Sequence, residues 1–457
     1  MRELAGQIGL NRQTISMAYE LLETESLIRS EVGRGSFVTA PARSEDAAKS
    51  LNWNELLSSA NKLDPPPFVL RQAAISFANS RPSELLFPLE PFRATCEEVI
   101  ADETVAASIL QLGSPAGYAP LRTLLARNGI EEGVVRPTDD LVVTNGCQQS
   151  LDLIQRILCA GGESTVLIED PVYPGLKNVF LSAGTRVAGV PVGPNGMDVD
   201  ALAKAIHRER PRALVVTSSF QNPTGATLPL DARHAILKLA REAGVVLIEH
   251  DIYGELRYRG DALPTIKQLD ATGDTILLRS FSKLAFPGLR VGWVIGPKAF
   301  CTRLTEAKQS CDLHTDQLSQ AVLSRFIESG RLAEHRRKML VAGAERLDAA
   351  LQACARHLPA GSAFTRPEGG MNLWVTLPEG LDAGDLLARA QREGVAYLPG
   401  RYFAVTRDHS NCLRISFAGL APEKIRQGLA VLGSIYRSEW QRMEDTRTYE
   451  PASPALV

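Results

Sequence analysis

The sequence of 457 residues predicts an α/β protein with a mostly parallel sheet, a smaller α+β domain and a short N-terminal module. Between about residues 110 and 340, apolar runs alternate with helical patterns, as they do in parallel sheets that helices cover. Residues about 70–109 and 341–437 are expected to form the smaller domain. The first forty residues instead predict two short helices and a hairpin. Because 457 residues exceed one ordinary domain, this division also fits the length.

The N-terminal module begins with a helix-turn-helix pattern. Residues 2–15 predict a short helix, a glycine-containing turn and a second helix that Asn11 caps. Apolar residues at helical spacing, among them Ile15 and the segment 19–22, are expected to face a core. The opposite face of the second helix is polar near its N-terminus, where recognition helices meet base edges or phosphates.

A hairpin follows this helix. The runs 27–29 and 35–38 flank a turn at 33–34 and predict a β-hairpin wing. Residues 1–40 resemble the winged-helix DNA-binding domain of the GntR family of transcriptional regulators, in a truncated form. The residues that the resemblance implies as DNA-facing are Arg12, Gln13, Thr14 and Arg34.

Two departures from that family bear on DNA binding. The family has a further helix before the position of Arg2, so we expect either that translation starts upstream or that the module does not bind DNA. Residues 1–40 contain four arginines and five glutamates, and 4 − 5 gives a net charge of −1. DNA affinity depends strongly on basic side chains that neutralise phosphates. Further basic residues or dimerisation would therefore have to contribute.

The remaining chain is divided by composition. Residues 41–69 are polar and proline-rich and predict a linker, residues 70–437 predict the main folded part, and residues 438–457 predict a flexible C-terminal tail. The formal net charge of −2 predicts no general affinity for polyanions, and seven scattered cysteines predict no metal site. No apolar run reaches the roughly 18 residues of a membrane span. We therefore expect a cytoplasmic protein without membrane association.

Three predicted strands of the large domain each lead into polar residues. The apolar runs 213–217, 244–249 and 275–279 predict buried strands. The carboxyl ends of parallel strands meet at one edge of a sheet, where α/β folds bind ligands, so the residues after them are expected to lie together. These residues are Asn222 after the first strand, Asp251 and Tyr253 after the second, and Ser280, Ser282 and Lys283 after the third.

This set has the chemistry of a pyridoxal 5'-phosphate (PLP) site. The aldehyde of PLP requires a lysine for a Schiff base, which Lys283 can supply, and its phosphate requires fixed donors and a planar cation, which Arg290 can supply. A carboxylate against the pyridine nitrogen keeps it protonated, so that the ring withdraws electrons, and Asp251 is the candidate. A Rossmann dinucleotide site is not predicted, because no G-x-G-x-x-G separates a strand from a helix.

The motifs, in this order, resemble those of the fold type I PLP-dependent aminotransferases. They are NPTG at 222–225, D-x-Y at 251–253, SFSK at 280–283 and PGLRVGW at 287–293. The resemblance covers residues 70–437 and implies a homodimer of an α/β protein with PLP on Lys283. It further implies catalytic roles for Lys283, Asp251 and Tyr253, ring-oxygen contacts from Asn222 and Tyr253, and phosphate contacts from Ser280, Ser282 and Arg290.

Further cofactor contacts follow from the same resemblance. The loop 144–149 resembles the family's glycine turn at a helix N-terminus, where backbone N–H groups bind phosphate. Tyr173 corresponds to the aromatic residue that stacks on the cofactor ring, and the alternative is a buried structural tyrosine. Tyr118 resembles the tyrosine that reaches the phosphate of the neighbouring subunit. The contacts implied for the glycine turn are Gly146, Cys147 and Gln148.

An arginine lies inside the predicted strand 411–417. A charge at Arg414 must be paired or face a polar cavity, and a planar guanidinium suits a carboxylate. In the family this position binds the α-carboxylate of the substrate, so Arg414 implies an amino-acid ligand. The alternative is an internal ion pair.

A GntR-like module fused to an aminotransferase-like domain resembles the MocR-type subfamily of GntR regulators. The leading interpretation is a PLP-dependent transcriptional regulator that binds an amino acid and DNA. The alternative is a catalytically active α-amino-acid aminotransferase with a vestigial N-terminal segment. If Lys283, freed by the amino acid, takes the α-proton, the outcome is transamination. If it does not, ligand binding can bias domain closure and the pairing of the winged helices.

Overall fold

The structure is a computed structural model that describes residues 4, 11–31, 33–39, 51–56, 73–161 and 164–448. The chain divides into two compact units, Met1–Lys62 and Leu63–Val457. The first helix of the predicted helix-turn-helix and most of the predicted linker lie outside the described residues.

In the unit Met1–Lys62, the predicted second helix and wing are present. The side chain of Asn11 accepts a hydrogen bond from the Gln13 N–H at 3.0 Å and caps the helix, as expected for an N-cap asparagine. The two strands pair antiparallel, with Ile28 opposite Val38. The elements are α1 Arg12–Thr24, β1 Ile28–Glu31, β2 Gly35–Val38 and α2 Trp53–Leu56.

The core expected for this unit is only partly formed among the described residues. Ile15 of α1 is buried, but Leu21 and Leu22 are 61% and 36% exposed, and Phe37 of the wing is 52% exposed. The assignment of residues 19–22 to a core is therefore wrong for the described part of this unit. An amphipathic helix buries its apolar face only where another element packs against that face.

The unit Leu63–Val457 contains the remaining elements. It includes three short 3-10 helices, at Glu84–Leu86, Pro287–Leu289 and Gly400–Phe403. In chain order the elements are β3 Ile75–Ser76, α3 Leu89–Ala101, α4 Glu103–Ile109, α5 Ala119–Glu131, β4 Asp139–Thr144, α6 Cys147–Leu158, β5 Thr165–Asp170, α7 Pro174–Ser182, β6 Arg186–Gly193, β7 Gly196–Met197, α8 Val199–Glu209, β8 Ala213–Val216, α9 Leu230–Glu242, β9 Val246–His250, α10 Ile266–Leu269, β10 Ile276–Ser280, β11 Gly292–Pro297, α11 Lys298–Asp312, α12 Gln317–Glu328, α13 Arg331–His357, β12 Ala363–Phe364, β13 Asn372–Thr376, α14 Ala383–Arg392, β14 Val395–Ala396, β15 Leu398–Pro399, β16 Cys412–Ser416 and α15 Pro422–Thr448.

An eight-stranded sheet forms the large domain, in the order β4-β11-β10-β9-β8-β5-β6-β7. The five strands from β10 to β6 pair in parallel, whereas β11 runs antiparallel to β10 and β4, and β7 runs antiparallel to β6. The expectation of a mostly parallel sheet is confirmed. Helices cover both faces, so Val166 and Leu167, neighbours on β5, lie in separate apolar clusters. A strand buried on both faces is apolar throughout rather than alternating.

The smaller domain has a four-stranded antiparallel sheet in the order β12-β13-β16-β15, with α13, α14 and α15. Of the segment 70–109 assigned to this domain, β3 pairs in parallel with β14, whereas α3 packs against α12 of the large domain. Among the described residues, no helix is both long and apolar enough to cross a membrane.

The C-terminal tail expected from residue 438 is wrong as far as Thr448, because α15 continues to that residue. Tyr436 is buried in the core of the smaller domain, and Trp440 and Met443 pack against it. Their spacing of four and then three residues is that of one helical face. The polar composition of this segment concealed the apolar stripe.

Candidate active site

A cavity of about 320 Å³ lies at the carboxyl-terminal edge of the large sheet. Thr217, His250 and Ser280 line it from the ends of β8, β9 and β10. The structure therefore brings most of the predicted site residues together. Those that line the cavity are Cys147, Gln148, Tyr173, Asn222, Tyr253, Ser280, Ser282, Lys283, Arg290 and Arg414.

Lys283 lies in this cavity within a network of polar groups. Its amine donates a hydrogen bond to the carbonyl oxygen of Ser80 at 2.6 Å. Burial, together with the nearby guanidinium groups of Arg414 and Arg290, lowers the pKa of Lys283 from 10.5 to about 8. A lysine with a lowered pKa has more of the neutral, nucleophilic amine near neutral pH.

One end of the cavity is suited to a phosphate group. The guanidinium of Arg290 donates hydrogen bonds to Ser282 Oγ at 3.2 Å and to the carbonyl oxygen of Asn145 at 3.3 Å. Ser280 Oγ donates to Ser282 Oγ at 2.9 Å. Hydroxyl groups and a planar cation thus lie side by side in a loop, an arrangement that binds phosphate oxygens.

The glycine turn before α6 completes this end. Gly146 has a φ of +81°, and a Cβ there would lie 2.6 Å from Arg290 Nη2, so only glycine fits beside the guanidinium. No side chain caps α6, which begins at Cys147. The first backbone N–H groups of a helix lack intrahelical acceptors and bind anions. The residues present therefore fit the phosphate of PLP.

Asp251 lies next to the cavity rather than among its lining residues. It follows β9 directly, is buried, and accepts hydrogen bonds from Arg279 Nε and the Gly254 N–H, both at 3.1 Å. Arg279 was not anticipated as a partner of this carboxylate. The preceding residue, His250, lines the cavity, and burial lowers the pKa of His250 to about 4, so the ring is neutral at pH 7.

Asn222, Tyr253 and Arg414 form a connected group. Asn222 Nδ2 donates to Tyr253 Oη at 3.3 Å, and Arg414 Nη1 donates to Asn222 Oδ1 at 3.0 Å. Burial raises the pKa of Tyr253. The phenol is therefore protonated at neutral pH and can donate a hydrogen bond into the cavity.

Arg414 is a buried cation on β16, 3% exposed. It also donates to the carbonyl oxygen of Ala78, and its guanidinium carbon lies 5.0 Å from the centre of the Phe403 ring. Within the described residues no carboxylate pairs with it and its Nε has no hydrogen-bond partner. Burial lowers the pKa of Arg414 to about 10, so it stays charged at pH 7. A buried charge without a counter-ion suits an anionic ligand.

The segment 78–81 lines the cavity and was not anticipated. The carbonyl groups of Ala78 and Ser80 accept hydrogen bonds from the two cations Arg414 and Lys283, and Arg81 also lines the cavity. Backbone carbonyl groups carry no signal in the sequence, and this loop has no motif that points to chemistry. The segment 78–81 directly follows β3, and its place beside the cavity depends on the pairing of β3 with β14, which the sequence does not predict.

Tyr118 and the proposed DNA-facing residues lie outside this cavity. Tyr118 precedes α5 at the N-cap position, without a capping hydrogen bond from its side chain, and its backbone N–H donates to Gln320 Oε1 at 2.7 Å. In the unit Met1–Lys62, Arg12, Gln13 and Thr14 are exposed in the first turn of α1. Arg34 lies in the turn of the wing, 3.6 Å from Glu31 Oε2.

This chain is similar to aminotransferases and to a group of transcriptional regulators. Residues 89–432 match the family described as aminotransferase class I and II. The 2-aminoadipate transaminase of Thermus thermophilus is 38% identical over 79% of this chain and 90% of its own length. An uncharacterized HTH-type transcriptional regulator of Escherichia coli is 28% identical over 96% of this chain and 94% of its own length.

A solved structure is similar to most of the chain. The α-aminoadipate aminotransferase LysN of Thermus thermophilus, complexed with N-(5'-phosphopyridoxyl)-L-leucine, has a TM-score of 0.79 and 35% identity, covering 86% of this chain and 100% of that one. The predicted fold and the predicted cofactor, PLP, are thereby confirmed. The chain belongs to the aminotransferase class I and II family.

Proposed function

We propose that the chain is a MocR-type transcriptional regulator whose PLP-binding domain recognises an α-amino acid. The observation that carries this proposal is the extent of the similarity. Similarity to the HTH-type regulator takes in nearly the whole chain, whereas similarity to the transaminase leaves about a fifth of it uncovered. The helix α1 and the wing add support, because they expose Arg12 and Arg34 where a winged helix contacts DNA.

The cavity residues divide the recognition of cofactor and amino acid among them. When bound, PLP supplies an electron-withdrawing ring that makes the α-hydrogen of an attached amino acid acidic. Lys283 would hold the cofactor, and the turn at Gly146 with Arg290 would hold its phosphate. Arg414, oriented by Asn222 at 3.0 Å, would bind the α-carboxylate through its guanidinium.

Binding of the amino acid would connect the two domains of the large unit. Arg414 lies on β16 of the smaller domain, whereas Lys283 follows β10 of the large sheet. A ligand that contacts both favours a closed arrangement over an open one. In a homodimer with Tyr118 at the partner's phosphate, closure would alter how the paired winged helices meet DNA.

A second candidate function is transamination of an α-amino acid. It is supported by the presence of Lys283, Asp251 and Arg414 and by identities of 36% and 38% to relatives that are named an aminotransferase and a transaminase. An amine with a pKa of about 8 can remove a proton from the α-carbon near neutral pH. Both functions need the same residues, so they have to be separated by experiment.

The experiment is an absorption titration of the PLP-loaded chain with a panel of amino acids, without any 2-oxo acid. Loss of the visible band with formation of pyridoxamine phosphate would establish transfer of the amino group and favour the enzyme. A band that shifts and persists favours a ligand sensor.

A DNA-binding measurement completes the test. Fluorescence anisotropy with DNA from upstream of the protein's own gene, at low salt, should show binding that weakens in Arg12→Ala and Arg34→Ala. Because basic contacts release counterions, both variants should also flatten the salt dependence. Absence of binding by the full chain would contradict the regulatory proposal.

A further inference from the structure

A buried carboxylate joins the two domains beside the active site. Asp170 ends β5 of the large sheet and is fully buried. It accepts hydrogen bonds from five donors of the segment 403–409, which precedes β16 of the smaller domain. These are the Val405 N–H at 3.1 Å, the Thr406 N–H at 2.9 Å, Thr406 Oγ at 2.8 Å, the Arg407 N–H at 3.0 Å and His409 Nε2 at 3.1 Å.

Two further hydrogen bonds connect the same segments. The Val172 N–H donates to the carbonyl oxygen of Phe403 at 2.9 Å, and Lys177 Nζ donates to that of Ala404 at 2.8 Å. We call the contact between residues 170–177 and 403–409 the interdomain latch. All seven of these hydrogen bonds are between the large domain and the smaller one.

Each side of the latch leads to a group that lines the active-site cavity. On the large-domain side, Tyr173 lines the cavity three residues after Asp170. On the other side, the ring of Phe403 lies 5.0 Å from the guanidinium carbon of Arg414. Trp374, which pairs with Arg414 across β13 and β16, packs edge-on against both Phe403 and His409, at 5.6 Å and 5.9 Å. Through Phe403 and Trp374, the latch therefore contacts the surroundings of the Arg414 side chain.

We propose that Asp170 is a positioning residue for the amino-acid ligand. By holding the two domains together, Asp170 keeps Arg414 at the distance from Tyr173 and Lys283 that the ligand requires. Neither Asp170 nor His409 lines the cavity, so neither can touch the ligand. The inference rests on the proposed function, because it needs an α-carboxylate on Arg414.

Loss of the charge at Asp170 would loosen the smaller domain but not the phosphate site. A neutral amide accepts hydrogen bonds more weakly than a carboxylate, and its NH₂ group would face N–H donors. Arg414 would then move relative to the large domain. The glycine turn, Ser282 and Arg290 all belong to the large domain and bond to one another, so the phosphate site stays intact.

The test compares Asp170→Asn with a matched control, Asp270→Asn. Asp270 is also buried and also accepts five hydrogen bonds, from Arg241, Thr272 and Thr275, but it does not line the cavity. In full-length protein, PLP affinity is measured by absorption, and amino-acid affinity by the spectral change of the PLP-loaded form. For Asp170→Asn we expect the amino-acid Kd to rise about tenfold, roughly the effect of one charge-assisted hydrogen bond. The PLP Kd should stay unchanged, and Asp270→Asn should change neither.

A second pair of variants keeps the test decisive if Asp170→Asn does not fold. His409→Ala removes one donor from the carboxylate, whereas His409→Gln can restore it, so amino-acid affinity should fall in the first and recover in the second. Equal effects of Asp170→Asn and Asp270→Asn, or a parallel loss of PLP, would overturn the proposal. A wild-type protein that responds to no amino acid would refute the proposed function itself, and this inference with it.

Discussion

Arg414 illustrates how much a single side chain reveals about the ligand. It is buried on β16 without a carboxylate partner among the described residues, and its Nε has no hydrogen-bond acceptor there. The alternative of an internal ion pair therefore has no support in the described part of the chain. A guanidinium in this state is prepared for a bidentate carboxylate.

Replacement of Arg414 by lysine tests this role. Lysine keeps the charge but loses the planar fork, so we expect amino-acid affinity to fall by about 10- to 100-fold, corresponding to roughly 1.5–3 kcal/mol. PLP affinity should change little, because the proposed phosphate site is at the Arg290 end of the cavity. Isothermal titration of the PLP-loaded variant measures the amino-acid affinity. Absorption at the PLP band measures the PLP affinity. Equal losses in both would indicate a structural role.

Lys283 should show its lowered pKa in the rate of PLP uptake. Only the neutral amine attacks the aldehyde, and burial with two nearby guanidinium groups lowers the pKa of Lys283 to about 8. The rate of uptake should therefore rise with pH up to about 8 and level off above it. Stopped-flow absorption over pH 6 to 10 measures the rate, with N-acetyl-lysine as a reference whose rate keeps rising toward its ordinary pKa. A profile parallel to the reference would contradict the assigned environment.

Among single residues, the sequence predicted many that line the cavity but not the distant partners that support them. Lys283 and Arg290 belong to motifs whose residue types the chemistry demands, so the sequence alone identifies them as candidates. Asp170 stands three residues before Tyr173, yet its role depends on His409, which is 239 positions away in the chain. Partners that distant in sequence leave no local pattern. The same holds for Arg279, which bonds to Asp251.

Among the elements, the turn into α6 carries the sharpest prediction. Gly146→Ala would force a side chain into a left-handed backbone and to within 2.6 Å of Arg290 Nη2. Displacing Arg290 should raise the PLP Kd by more than about tenfold, since a charge-assisted contact is lost. Gly133→Ala is the matched control, because Gly133 has a similar φ of +77° but nothing within 4 Å of an added Cβ.

The control should lose about 1 kcal/mol of stability from backbone strain, with its PLP Kd unchanged. Unfolding in urea measures the stability and an absorption titration the PLP affinity of both variants. If the two alanine variants bind PLP equally well, the clash with Arg290 does not affect PLP binding and the prediction is wrong.

Elements with strong patterns were predicted well, and elements with mixed patterns were not. The strands before Asn222, Asp251 and Ser280 are continuous apolar runs because helices cover both faces of the sheet. The end of α15 is different, since Gln441 and Arg442 separate Trp440 from Met443 and the polar composition of the segment predicts a tail. A helix half-buried on one face shows few apolar residues per turn.

For the molecule as a whole, the interdomain latch predicts a dependence of stability on pH. Burial lowers the pKa of His409, but the hydrogen bond that its ring donates to Asp170 raises that pKa more, to about 9. Burial raises the pKa of Asp170, but hydrogen bonds from His409 and Thr406 lower it more, to about 2. The contribution of His409 is thus fully present below its ordinary pKa of 6.5 and is lost as the pH rises through 9. That of Asp170 is present above 3.8 and is lost as the pH falls through 2.

The latch should therefore contribute most between about pH 4 and 6.5. We expect the difference in unfolding free energy between the wild type and His409→Gln to be largest there and to decrease between pH 6.5 and 9. Urea unfolding of both proteins at half-unit intervals of pH measures it. A difference that does not vary with pH would mean that folding leaves the pKa of His409 unshifted, and it would contradict this prediction.

Domain organisation could be predicted from the sequence only where each domain has its own periodicity. The alternation of strands and helices predicts the large domain, and the helix followed by a hairpin predicts a separate N-terminal unit. The core of that unit could not be predicted, since Leu21 and Leu22 have a helical spacing that fits burial but remain exposed among the described residues. Burial of a helix face depends on which element packs against that face, and the spacing of apolar residues does not identify that element.

The charge of the active-site cavity has a practical consequence for biochemistry with this protein. Arg81, Lys283, Arg290 and Arg414 line the cavity, and no aspartate or glutamate of the described residues does so. A cleft of one sign concentrates small ions of the other. Inorganic phosphate and sulfate in a buffer are therefore competitors of PLP, and affinities measured in their presence will be underestimates. Buffers of weakly coordinating monovalent anions are the appropriate medium for this protein.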